Sequence, residues 1–174
     1  MRSVGFLLLI FMLSDGPNNV NSSDNQPEMF PHVWPVPCQK SQHNNRFNAF
    51  MSKHILLLDF ETSQLINWGN YLLMMGLCER PTKQSFLHRE DIGSIIGICN
   101  SQGFKYKNNM CISKKKFLVY VIQSTLKNGE CEFQIQIERS YVIVACEAIH
   151  NFCLPVHYET QTTWLPSNKQ ICRP

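Results

Sequence analysis

Tyr141-Val142-Ile143-Val144-Ala145-Cys146-Glu147 is a β-rich run carrying a cysteine, and it leads into Leu154-Pro155-Val156-His157-Tyr158-Glu159, a second β-prone segment carrying a histidine. A strand fixes a side chain more rigidly than a loop does, and proton transfer needs placement to a fraction of an ångström. His157 is therefore read in two ways: as a positioned acid or base, or as a hydrogen-bonded histidine at a sheet edge.

Upstream of this stretch, residues 117–122 and 132–137 also read as strands. The second alternates through Phe133, Ile135 and Ile137, and Asn128-Gly129 between the two is a turn signal. Before Cys99 the texture is helical. From residue 45 onward Phe47, Phe50, Met51, His54 and Leu57 or Leu58 recur at three- and four-residue spacing, and no proline interrupts until Pro81. A second helix is expected within 62–77, with Leu65, Ile66, Tyr71 or Leu72, and Met75 on its apolar side. A third is expected over 91–99, with Ile92, Ile95, Ile96 and Cys99 inward. Helices early and strands late imply an α+β domain with an antiparallel sheet. His54 then lies on the inward stripe, as a core histidine with one satisfied nitrogen or as a catalyst.

Arg2, the apolar run 4–13 and the polar Ser14-Asp15-Gly16-Pro17 have the order of a secretory signal peptide, taken as residues 1–20. The run is too short to span a bilayer, and no later stretch approaches the roughly 20 apolar residues that a transmembrane segment needs. The chain is expected to be secreted, extracellular and monomeric. Its expected organisation is a proline-rich extended arm at 21–44, one domain at 45–160 and a C-terminal extension at 161–174. Asn21-Ser22-Ser23 makes Asn21 a glycosylation candidate, provided cleavage leaves it on the mature chain. The 8 cysteines of a short secreted chain read as a disulfide framework. With no CxxC pair and no HxxxH helix, neither a metal nor a cofactor is expected. The net charge is only +3, but Lys105, Lys107, Lys114, Lys115 and Lys116 fall close together, as an anion-facing patch or as a solvated hairpin face.

Taken in order, Phe50-x-x-x-His54, the segment from Cys78 to Phe86-Leu87-His88, the spaced cysteines, Val144-Ala145-Cys146-Glu147 and Pro155-Val156-His157-Tyr158-Glu159 resemble the pancreatic-type ribonuclease (ribonuclease A) superfamily. The resemblance runs from about residue 47 to 159 and is strongest in its last two pieces. It implies three helices packed on a bent antiparallel sheet, with the first helix facing a late strand across a cleft. It also implies the disulfides Cys78 with Cys131 and Cys99 with Cys146. A further family bridge has lost both members, at or near Leu72 and Gln123. The cysteine that precedes Cys111 in the family's small disulfide loop is missing too. Cys38, Cys111, Cys153 and Cys172 remain, with Cys38–Cys111 and Cys153–Cys172 as the expected pairs.

For mechanism the resemblance implies in-line attack of a ribose 2′-hydroxyl on the adjacent phosphorus, with His54 as base and His157 as acid. Glu159 would orient His157, and Ser85 would read the pyrimidine edge. Lys53 would partly replace a phosphate-binding lysine whose place is taken by Ala49. The family's catalytic lysine is the departure, because Glu79 stands directly after Cys78. A carboxylate there would oppose the charge that develops on the phosphoryl oxygens, unless Lys83 or Arg80 swings in. Two functions are thus expected from the sequence. One is a weak secreted endoribonuclease that cleaves single-stranded RNA after pyrimidines. The other is a catalytically silent ribonuclease scaffold that binds a receptor or a polyanion on an anionic surface, such as a cell surface, a sperm surface or a microbial membrane.

Overall fold

A computed structural model describes residues 36–80 and 83–173. The signal segment 1–20, the sequon at Asn21 and the arm as far as residue 35 lie outside the described residues. The elements follow in the order β1 (Gln39–Lys40), α1 (Arg46–His54), α2 (Leu65–Met74), β2 (Gln84–Leu87), α3 (Ile92–Ile98), β3 (Gly103–Lys105), β4 (Met110–Ser113), β5 (Phe117–Lys127), β6 (Glu130–Ile149) and β7 (Phe152–Thr162). Three helices pack on a large, mainly antiparallel sheet, as an α+β fold should.

The sheet is built around β6. Its first part pairs with β5, from Glu130 opposite Lys127 to Ser140 opposite Phe117. From Tyr141 onward it pairs with β7 on one side, and from Ile143 with β4 on the other. The strands expected at 132–137 and 141–145 are therefore one strand that changes partners at a bend. Burial follows the change: residues 131–135 alternate between half-buried and exposed, whereas Val142 through Cys146 are all buried. A run covered on both faces cannot alternate, which is why that stretch reads as uniformly apolar.

The β5–β6 hairpin turns at Asn128 and Gly129, whose φ values of 52° and 83° are left-handed. A two-residue turn of that hand matches strand twist, and Asn-Gly reaches it at little steric cost. The β6–β7 hairpin does the same with His150 and Asn151, at φ 48° and 67°.

Helix α1 stops at His54, short of Leu57 and Leu58, because the chain there leaves the helix to dock on β2. Ile55 bridges Leu87 in parallel, and the Leu56 amide donates to the Leu87 carbonyl at 3.0 Å. The inward face of α2 also differs from expectation. Trp68, Tyr71 and Leu72 are buried, while Leu65 and Ile66 are 63% and 68% exposed. The indole of Trp68 dictates this rotation, since Phe60, Tyr71, Phe86 and Tyr120 surround it with ring centroids 5.0 to 6.3 Å away. In α3, Ile95, Ile98 and Cys99 are buried, with Ile92 and Ile96 only partly so. Among the described residues, no helix is long and apolar enough to cross a membrane.

Disulfides join Cys78 to Cys131 and Cys99 to Cys146, the two bridges that the resemblance implies. The other four cysteines pair differently from the expectation, Cys38 with Cys153 and Cys111 with Cys172. Sheet pairing decides both. β1 runs parallel to β6 at Glu147 and Ala148, and Cys153 sits across from Ala148 on β7, so Cys38 and Cys153 come within 5.3 Å at their Cα atoms. Ile171 bridges Phe104 on the outer strand β3, which carries Cys172 to Cys111 on the neighbouring β4.

Candidate active site

His54 is placed by the docking of α1 on β2. Phe50, one turn earlier, is buried in the core, and its ring lies 5.5 Å from the imidazole. The Ile55–Leu87 bridge aligns the end of the helix with β2, so that His54 Nδ1 donates to the Ser85 carbonyl oxygen at 3.0 Å. A carbonyl oxygen can only accept, so Nδ1 holds the proton and Nε2 presents a lone pair. The other face of the ring stacks on Tyr158 of β7, with centroids 5.1 Å apart.

Burial pushes the His54 pKa down to about 4, against the opposing effect of its hydrogen bond to the Ser85 carbonyl. Three nearby positive charges push the same way: Arg80, His157 and Lys53. The ring is thus neutral at physiological pH, as a general base must be, although a pKa that low weakens its pull on a proton.

His157 lies on β7 opposite Ala145 of β6, just before the Tyr158 that stacks on His54. Its side chain is 56% exposed, and Nε2 sits 3.4 Å from Glu159 Oε2. Nδ1 is then the nitrogen left to donate outward. Glu159 falls at a break in the β6–β7 register, between the pairs Ile143–Thr160 and Val144–Tyr158. A bulge of this kind re-aims side chains, and here it accompanies two successive functional candidates.

Glu79 is exposed, whereas Arg80 beside it is half-buried. The Arg80 guanidinium donates to Gln84 Oε1 at 3.1 Å. Gln84 in turn donates through Nε2 to the Leu77 carbonyl at 2.8 Å and to Ser124 Oγ at 3.3 Å. With Cys78 bonded to Cys131, the segment is pinned on both sides of residues 81–82. Arg80, not Glu79, is the member of that segment whose charge acts on His54. Lys83 is exposed and lines a cavity with Val121, Gln123, Gln134, Ile135 and Gln136. Lys53 is exposed next to His54.

Ser85 is buried, and its hydroxyl lies 3.3 Å from Gln161 Oε1. The same Oε1 accepts from the Tyr158 hydroxyl at 2.9 Å. Burial raises the Tyr158 pKa well above its ordinary value, so the phenol stays a donor. One amide oxygen therefore engages both hydroxyls beside the histidine. Sequence reading missed this contact because Gln161 belongs to a segment taken as an extension, and only the shifted β7 register turns it toward Ser85.

No family model matches the chain, and no curated protein matches it in sequence. Solved structures do. Green turtle egg white ribonuclease is similar with a TM-score of 0.53 and 21% identity, covering 67% of this chain and 98% of that one. SS-RNase-2 des116-120 is similar with a TM-score of 0.52 and 25% identity, covering 68% of this chain and 99% of that one.

Proposed function

On this ribonuclease-like scaffold, we propose that the chain is a secreted, monomeric endoribonuclease that cleaves single-stranded RNA after pyrimidines, with Arg80 as the cation at the phosphate. His54 Nε2 takes the proton from the 2′-hydroxyl. The 2′-oxygen then forms a bond to phosphorus as the P–O5′ bond breaks. His157 gives its proton to the departing 5′-oxygen, leaving a 2′,3′-cyclic phosphate. The Arg80 guanidinium offers paired donors to the phosphoryl oxygens, a geometry that suits an oxyanion better than a point charge does. Glu159, 3.4 Å from His157 Nε2, orients that ring.

The observation that carries the reading is the His54 tautomer, fixed by the Ser85 carbonyl so that Nε2 presents its lone pair, together with a half-buried arginine whose charge reaches that ring. Turnover is slow on this reading, for two reasons. His54 is a weak base, and the Ser85 hydroxyl must leave Gln161 to meet a base edge. The deciding experiment is cleavage of poly-C and poly-U by the purified chain beside a His157→Ala control. The expected result is slow cleavage that the control lacks. No cleavage at high protein concentration, or equal cleavage by the control, refutes the assignment.

A further inference from the structure

Between Asp91 and Glu130 the chain contains no carboxylate, while Lys105, Lys107, Lys114, Lys115 and Lys116 all fall in that interval. Fold topology adds to this run. The C-terminal segment lies beside β3, where the Lys105 amide donates to the Gln170 carbonyl at 2.7 Å and Ile171 bridges Phe104. This brings the exposed Lys169 and Arg173 to the same edge, and the Cys111–Cys172 bridge fixes them there. After Glu159 the chain again has no carboxylate side chain.

Four of these ammonium groups lie over aromatic rings. Lys107 lies over Tyr106 at 5.5 Å, Lys114 over Phe104 at 5.2 Å, Lys115 over Phe117 at 4.7 Å and Lys116 over Tyr141 at 5.4 Å. Each ring supports a cation electrostatically. Lys114 also donates to the Ser101 carbonyl at 2.6 Å, and Lys115 meets Asp91 at 3.2 Å. Each ammonium has three donors, so both lysines retain some for a ligand. Lys114 and Lys115 line a cavity of about 290 Å³ together with Ser94, Ser101, Gln102 and Ser113.

From this arrangement we infer that the β3–β4 edge and the Lys114–Lys116 turn form a docking surface for a linear sulfated polysaccharide, separate from the His54–His157 cleft. The chemistry favours this ligand over single-stranded RNA. Binding of single strands relies on aromatic faces free to stack on bases, and here those faces carry lysines. It also favours it over a lipid surface, because interfacial binding needs exposed apolar side chains to insert. In the segment 101–116, Tyr106 is the large apolar side chain that is substantially exposed. The inference stands whether or not the cleft cleaves RNA.

The test is retention of the full chain on immobilised heparin, with salt elution, beside vesicles of phosphatidylserine and phosphatidylcholine. A Lys114→Gln/Lys115→Gln/Lys116→Gln variant should elute at clearly lower salt and show a log–log salt slope shallower by roughly two to three. The corresponding arginine triple should elute like the parent, which separates lost charge from lost folding. Lys127→Gln, at the end of the β5–β6 hairpin, should leave elution unchanged. The inference is overturned by a glutamine triple that elutes with the parent, by an arginine triple that elutes with the glutamine one, or by a Lys127→Gln effect as large as the triple's. Stronger retention by the vesicles than by heparin also overturns it and assigns the surface to lipid.

Discussion

The residue that decides the proposed chemistry is Arg80. Truncation to alanine removes the guanidinium from the phosphate and should lower kcat on poly-C by on the order of 100-fold, the loss typical of one oxyanion donor. Glu79→Gln should change kcat by less than about threefold, because that carboxylate is exposed to solvent, which screens its charge. Steady-state kinetics on both variants checks the pair of expectations, and equal effects would return the site to Glu79. His54 makes a second prediction at this scale, this one about stability. Its folded pKa of about 4 lies below the ordinary histidine value of 6.5. Between those values the unfolded chain binds more protons than the folded one, so stability rises with pH through that window and is level above it. The contribution lost on acidification is on the order of 3 kcal/mol. Urea midpoints from pH 7 to pH 4 should show the decline, and His54→Gln should flatten it.

At the scale of elements, β7 brings together Tyr158, Gln161 and, through its register breaks, Glu159 and His157. Gln161→Ala should free the Ser85 and Tyr158 hydroxyls and raise kcat/KM on poly-C by roughly 2- to 10-fold, the equivalent of one net hydrogen bond. A decrease would mean that the amide supports the pocket. Much of the element scale was legible in the sequence. The period-3.6 stripe through Phe50 and His54, the Asn128-Gly129 turn and the apolar run into Cys146 all indicate local structure that forms as read. The rotation of α2 was not legible, because Leu65 and Ile66 are as apolar as the buried Leu72. Only the ring cluster around Trp68 ranks them.

For the whole molecule, the Cys111–Cys172 bridge ties the C-terminal segment to β4 across 61 residues of sequence. Replacing both cysteines by serine should lower stability by about 2 to 5 kcal/mol. It should also weaken heparin retention, since Lys169 and Arg173 would no longer be held beside β3. Calorimetry and salt elution on the same variant check the two effects. The sequence by itself determined the α+β class, the helix that carries His54, the strand that carries His157 and the likeness that pairs Cys78 with Cys131 and Cys99 with Cys146. The elements depend on local periodicity, while the two bridges, whose members are 53 and 47 residues apart, were read from the family's pattern of spaced cysteines. Tertiary structure alone decided that Arg80 is half-buried against Gln84, which partners Cys38 and Cys111 take, and that Gln161 lies against Ser85. The last two depend on pairing between segments tens of residues apart, and a register shift of one residue turns a side chain to the opposite face.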